Sequence, residues 1–200
     1  MPRSSFLVVS PKDEEATAPR LKPGLSILVT GSDSWGALSV DHLASVFGVP
    51  VANYAEGGSL TDQWLPGGKF FEVLRGAVVA ASDVALVYLS MGGLDAITAP
   101  GLPGRTQAEV AVQLAEIVNL IHSIKHLDVV HASYNAPFTI TPADPSLLVY
   151  PARYEFVDLS DLVVSYYESD PLHLIPESYL LRVQALSVRS VLAQRYLKAA

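Results

Sequence analysis

The sequence predicts an α/β fold, a three-layer α/β/α sandwich around a mostly parallel sheet of roughly five strands. Three observations carry that expectation. After residue 24, short apolar runs of β character alternate with longer segments of helical periodicity. That alternation calls for a parallel sheet covered by helices on both faces. Glycine-containing turns follow the first three strand-like runs, at residues 31–36, 57–58 and 92–93. Half of the 200 residues are hydrophobic and only 16% are charged, which suits a chain with a substantial core and not a disordered one.

Residues 1–24 carry charges and prolines with little periodicity and are expected to form a tail or an arm over the surface, with Phe6–Val9 as a candidate edge strand. A single domain is expected over 25–200. Its first core strand is Leu25–Thr30, running into Thr30-Gly-Ser-Asp-Ser-Trp-Gly36. A helix is expected over Ala37–Phe47, with Leu38, His42, Leu43 and Phe47 inward, ended by Gly48 and blocked by Pro50. Val51–Ala55 is a short strand leading to Glu56-Gly-Gly-Ser59, and Leu60–Gly68 a loop. Phe70–Ala81 is a helix, Val84–Ser90 a strand, and Met91-Gly-Gly-Leu-Asp95 the turn after it. Past a Pro/Gly-rich loop, Thr106–Lys125 is a long helix with Val110, Leu114, Ile117, Ile121 and Ile124 on one side. Val129–Ser133 and Tyr154–Asp158 are the last strands, separated by a proline-rich irregular stretch. The final helix spans Pro176–Lys198, with Pro176 in its first turn and an apolar stripe of Leu181, Ala185, Val188 and Leu192.

Composition excludes several classes of function. The net charge of −7 argues against a nucleic-acid partner, which would show a basic stripe. With no cysteine, disulfides, thiolate metal sites and cysteine nucleophiles are absent. No apolar run reaches the ~18 residues of a membrane helix, so stable membrane insertion is not expected. The Phe6–Val9 patch is shorter than the ~7 residues of a minimal secretory core, so a cytoplasmic location is the default expectation. Neither a lysine-bearing phosphate loop, an HExxH zinc pattern nor an EF-hand loop is present, and no cofactor or metal is called for.

The candidate chemistry lies at two places. Ser34 sits at a strand-to-helix turn, which can present a hydroxyl at the end of a sheet. In such sheets ligands bind beyond the carboxyl ends of the strands, where the turns bearing Ser34, Gly58 and Gly93 fall. Near the C-terminus stands Ser169-Asp-Pro-Leu-His-Leu-Ile-Pro176. Of the five histidines, His173 alone is expected in a loop beside an acid and before the last helix. Acyl transfer by a serine needs a base to take its proton and an acid to hold the imidazolium, the roles open to His173 and Asp170.

Four segments in order resemble the SGNH hydrolases, also called GDSL esterases and lipases, over residues 25–179. Ser32-Asp33-Ser34 resembles the Gly-Asp-Ser block, and the resemblance makes Ser34 the nucleophile. Asn53-Tyr-Ala-Glu-Gly-Gly58 resembles the block whose glycine gives a backbone N–H to the oxyanion, here Gly58. Gly92-Gly-Leu-Asp95 resembles Gly-Gly-Asn-Asp, and Asp170–Tyr179 resembles the block that supplies the acid and the histidine. The resemblance implies a flavodoxin-like sandwich and hydrolysis of a carboxylic ester or thioester. A small-molecule ester would be the substrate, with oxyanion donors at Ser34 and Gly58 and no cofactor.

Two departures stand out. Ser32 replaces the first-block glycine, although Gly31 precedes it. Leu94 replaces the asparagine that donates a side-chain hydrogen bond to the oxyanion, and leucine has no donor. Loss of one such donor costs roughly 3–4 kcal/mol, or about 10²–10³ in rate, so weakened activity is expected. Asn53, Ser59, Thr61 and Asn135 are candidates to replace it. Asp33 and Asp95 are expected to bond loop N–H groups. Trp35 and Trp64 are candidates to line an acyl or alcohol pocket, against ordinary packing as the equal alternative, and Arg182 and Arg189 are expected to be solvated. A non-catalytic binding protein on the same fold stays open because of Leu94 and Ser32, and so does a plain α/β module binding a nucleotide at the sheet edge.

Overall fold

The computed structural model of the chain describes residues 24–31, 34–97, 100–135 and 141–197. Its elements run β1 (Ser26–Val29), α1 (Ser34–Leu38), α2 (Val40–Phe47), β2 (Val51–Asn53), α3 (Phe71–Ala80) and β3 (Ala85–Leu89). There follow α4 (Gln107–Ile124), β4 (Asp128–Ala132), β5 (Tyr154–Val157), β6 (Tyr166–Tyr167), β7 (Asp170–Leu174), α5 (Pro176–Arg189) and α6 (Val191–Gln194).

Side-chain alternation along the strands sets the layers. Leu28, Val87 and Leu89 enter one apolar cluster, while Ile27, Val29, Leu86 and Tyr88 enter another on the opposite face. Helices α3 and α4 cover the first face through Leu74, Val78, Leu114, Ile117 and Ile121. Helices α2, α5 and α6 cover the second through Leu43, Phe47, Val183, Leu186 and Leu192. A parallel sheet buried on both sides is the arrangement that near-continuous apolar strands demand.

The strand order is β2-β1-β3-β4-β5, all parallel, with Ile27 opposite both Val51 and Leu86. The order reverses beside β1, so the crevice between the ends of β1 and β3 is the switch point of the sheet. The turns after β1, β2 and β3 converge there. The expected α/β fold and its five-stranded parallel sheet are thus observed.

Three local expectations are corrected. The helix expected from Ala37 to Phe47 begins at Ser34 and divides at Ser39. The Ser39 hydroxyl donates to the Trp35 carbonyl at 2.7 Å while its N–H turns to Gly36 O at 3.1 Å, tightening the turn until the helix restarts. Leu38 is consequently 49% exposed and not inward, whereas Leu43 and Phe47 are buried and Gly48 caps α2 at φ +64°.

The last helix is also divided, at Ser190. Its hydroxyl accepts from Ala193 N–H at 2.9 Å, and the Glu155 carboxylate takes the N–H groups of Val191 and Leu192 at 3.0 and 2.8 Å. These bonds cap a new helix, α6. The buried residues of α5 are Ser178, Tyr179, Arg182, Val183 and Leu186, whereas the expected stripe residue Val188 is 73% exposed. Third, residues around 169–174 form not a loop but β7 of a small antiparallel hairpin with β6. The expectations for residues 1–23, including the Phe6–Val9 strand, lie outside the described residues. Among the described residues, no helix is long and apolar enough to cross a membrane.

Candidate active site

The serine is delivered by a turn that only glycine can make. Gly31 ends β1 at φ +57°, and a Cβ there would lie 3.0 Å from Met91 Cε and 3.3 Å from Leu89 Cδ2. Ser34 is then the first residue of α1, where a backbone N–H has no partner within the helix. Ser32 and Asp33 lie outside the described residues. The second turn rests against the serine: a Cβ built on Gly57 would be 3.7 Å from Ser34 Cβ. Ser59 N–H closes that turn onto Glu56 O at 3.2 Å, with Gly58 at φ +77°.

The histidine arrives from outside the main sheet. In the β6–β7 hairpin Tyr166 pairs with Leu174 and Tyr167 with Asp170, so residues 171–173 are extra residues bulged out of register. A bulge re-aims side chains, and here it lets residues three apart meet, which a regular strand would send to opposite faces. Asp170 Oδ1 accepts Leu172 N–H at 3.0 Å, an Asx turn that fixes the carboxylate. Its Oδ2 lies 2.6 Å from His173 Nδ1, and His173 Nε2 lies 2.9 Å from Ser34 Oγ. The His173 bond, with help from Leu172 N–H, holds the Asp170 carboxyl below the ordinary carboxylate range. An ionised carboxylate only accepts, so neutral His173 carries its proton on Nδ1 and presents Nε2 as acceptor to the serine hydroxyl. Ser34, His173 and Asp170 thus form one hydrogen-bonded line.

The third turn is braced from beneath. Asp95 is wholly buried; its Oδ1 accepts Thr61 N–H at 3.1 Å and the Thr61 hydroxyl at 2.7 Å, and it pairs with Arg105. Arg105 also reaches Asp62 at 2.6 Å. Asp95 therefore ties the turn after β3 to the segment following Gly58. A Cβ on Gly93 would meet the Tyr134 ring at 3.3 Å, so that turn lies flat on the aromatic. Leu94 is half-buried within it. Of the four residues considered as replacement donors, two are engaged elsewhere. The Thr61 hydroxyl serves Asp95 and Gln113, and Asn135 Nδ2 donates to Leu159 O and Leu162 O at 2.9 and 3.0 Å. Asn53 is exposed, with its side-chain oxygen on Ala55 N–H at 3.0 Å, and Ser59 is buried.

The aromatic and basic residues divide. Trp64 is a core residue packed on Phe70, with ring centres 5.0 Å apart. Trp35 is buried against Tyr134 and Tyr179, and its indole N–H donates to Leu172 O at 2.8 Å. Arg189 pairs with Asp161 at the surface, at 2.6 Å. Arg182 contradicts the expectation of a solvated charge, being only 3% exposed. Its guanidinium donates to Asn135 Oδ1 and the Ser133 carbonyl and stands over the Trp35 ring at 4.9 Å. Burial pushes its pKa below the ordinary value. Sequence reasoning also missed buried His131, whose ring reaches the Met91 carbonyl; a histidine inside an apolar β-run was its only signal.

Among the described residues, no group of three or more His, Asp or Glu side chains is placed to hold a metal ion. The chain is similar in structure to a protein assigned to the G-D-S-L lipolytic family from Desulfitobacterium hafniense DCB-2. The TM-score is 0.56 at 12% identity, over 83% of this chain and 99% of that one. It is likewise similar to a protein assigned as an SGNH hydrolase from Slackia heliotrinireducens, with a TM-score of 0.54 at 15% identity, over 84% and 99% of the two chains. At such identities the likeness is one of fold. A search of curated protein sequences gives no match. A family model of hydrolytic enzymes matches residues 24–176, which places the chain in a hydrolase class. The chain belongs to the GDSL-like lipase/acylhydrolase family.

Proposed function

We propose that the protein is a serine esterase acting on carboxylic esters or thioesters, with Ser34, His173 and Asp170 as its triad. The observation that carries this reading is the hydrogen-bonded line from Ser34 Oγ through His173 to Asp170, at 2.9 and 2.6 Å. His173 Nε2 takes the Ser34 proton as Oγ bonds to the acyl carbon and the carbonyl π pair moves to oxygen. The N–H groups of Ser34 and Gly58 receive that oxyanion. As the carbonyl reforms, the bond to the leaving alkoxide or thiolate breaks, and His173 returns the proton to it. Water then repeats the sequence: His173 takes its proton, hydroxide adds to the acyl carbon, and Ser34 leaves with the proton restored. Asp170 holds the ring in the productive tautomer and stabilises the imidazolium throughout.

Hydrolysis of p-nitrophenyl esters from acetate to long acyl chains tests this reading. Wild-type turnover that disappears in Ser34→Ala supports it; full activity in Ser34→Ala overturns it. Leu94 favours a second reading, a binding protein that keeps the site without turnover. Labelling of Ser34 by a fluorophosphonate counts against that second reading.

A further inference from the structure

Ser34 and His173 belong to different parts of the fold. Ser34 starts α1 at the end of the parallel sheet, whereas His173 stands in the bulge of a two-stranded hairpin that, among the described residues, shares no strand pairing with that sheet. The 2.9 Å contact between them depends on whatever docks the hairpin onto α1. A small apolar cluster does so: Trp35, Tyr134, Leu174 and Tyr179 are buried together, with Ile97, Val164 and Tyr166 against them. Within it a directional bond crosses the junction, from Trp35 Nε1–H to the carbonyl oxygen of Leu172 at 2.8 Å. The donor is the residue after the serine, and the acceptor is the residue before the histidine. The indole itself is held by the tilted Tyr134 ring at 4.8 Å, by the edge-on Tyr179 ring at 5.9 Å and by the Arg182 guanidinium above it.

We propose that Trp35 is a positioning residue, its indole N–H clamping the 171–173 bulge so that His173 Nε2 faces Ser34 Oγ. This rests on the esterase reading for its kinetic consequence, but not for its structural one. Carbonyl and hydroxyl are placed by the same two adjacent pairs of residues, so slack in the Trp35–Leu172 bond becomes slack in the Ser34–His173 distance. Misplacement on the order of 1 Å costs as much as about 10²-fold in rate. The bond acts on the chemical step and not on substrate binding.

The test replaces Trp35 by benzothienylalanine, which keeps the bicyclic ring and removes only the N–H, alongside Trp35→Phe. Loss of one partly exposed hydrogen bond lowers Tm by no more than about 4 °C in a chain of this size. For p-nitrophenyl ester hydrolysis, kcat falls about 10-fold or more with KM within about two-fold, and fluorophosphonate labelling of Ser34 slows by the same factor. In proton NMR, the downfield His173 Nδ1–H signal, held against exchange by Asp170, broadens in the variant. Unchanged kcat, labelling and Nδ1–H signal with benzothienylalanine overturn the proposal. So does a loss confined to Trp35→Phe, which assigns the effect to ring packing. Should the wild type neither hydrolyse esters nor label, the esterase reading fails, while the His173 proton signal still decides for or against the clamp.

Discussion

His131 donates its Nε2–H to the carbonyl oxygen of Met91, 3.2 Å away, from a position wholly buried in the sheet. A carbonyl only accepts, so the neutral ring presents Nδ1 as an acceptor, and the Tyr154 hydroxyl lies 3.2 Å from it. That hydroxyl in turn accepts Ala143 N–H at 2.9 Å. The chain of bonds supports Met91, whose side chain backs the Gly31 turn ahead of Ser34. Protonating His131 would place a charge in the sheet, and burial lowers its pKa from 6.5 to about 4. Above the unfolded value the group is neutral in both states and its stabilisation is fully present. As pH falls from 6.5 towards 4, the unfolded chain binds the proton first and stability declines, by about 3 kcal/mol in total. Urea unfolding at steps between pH 7 and pH 4 measures this, and His131→Phe should flatten that part of the curve. An equal pH slope in the variant would place the acid sensitivity elsewhere.

Gly31→Ala should destabilise the protein by about 3 kcal/mol. The left-handed φ of +57° costs a side chain on the order of 1–2 kcal/mol, and crowding against Met91 Cε adds about as much again. Relief by moving Met91 would disturb the turn ahead of Ser34, so on the proposed esterase reading activity should fall more than the stability loss alone accounts for. Urea midpoints and specific activity on the same preparation separate the two effects.

Asp95→Ala should cost about 3–5 kcal/mol, because it leaves Arg105 without its buried partner and the Thr61 N–H without an acceptor. The same carboxylate joins the turns carrying Leu94 and Gly58, so the loss should extend to activity at temperatures where the variant remains folded. Equilibrium urea unfolding gives the first effect, and initial rates at low temperature the second.

The parallel sheet and its two covering layers were legible because each core strand is a short apolar run and most connections carry a helical period. Ser34, Asp170 and His173 stand out by their local surroundings and Gly58 through the family resemblance alone; the structure sets His173 against Ser34 Oγ, and Gly57, beside Gly58, against Ser34 Cβ. What failed to read were residues whose partners are distant in sequence. Arg182 looks solvated because a cation interrupts the apolar stripe of α5; the Asn135 side-chain oxygen, the Ser133 carbonyl and the Trp35 ring make its burial tolerable. An apolar stripe through Leu181 and Val188 leaves Arg182 outward, whereas in the structure Arg182 is buried and Val188 is 73% exposed. The β6–β7 hairpin escaped notice because β6 is two residues long and the β7 bulge removes the alternation that marks a strand. The break at Ser39 turns on one side-chain bond to Trp35 O, and a serine in an otherwise continuous helical pattern does not announce it.

Leu94→Asn should raise ester turnover by about 10²-fold. The turn that carries residue 94 is already held where the family has its donor: Asp95 fixes it to Thr61, and Gly93 lies on the Tyr134 ring. Of the groups that could have taken over, the Thr61 hydroxyl and the Asn135 amide are bound elsewhere. On the proposed mechanism, an asparagine at 94 would add a third donor to the N–H groups of Ser34 and Gly58, and one such donor is worth roughly 3 kcal/mol in the transition state. A gain of this kind belongs to the transition state, so kcat should rise while KM changes little. Rates of p-nitrophenyl ester hydrolysis by the two proteins decide it. A rise confined to kcat supports both the triad and the missing donor. Equal, measurable rates would mean that the oxyanion is already fully held without residue 94, and that the leucine serves to make the wall of the site apolar.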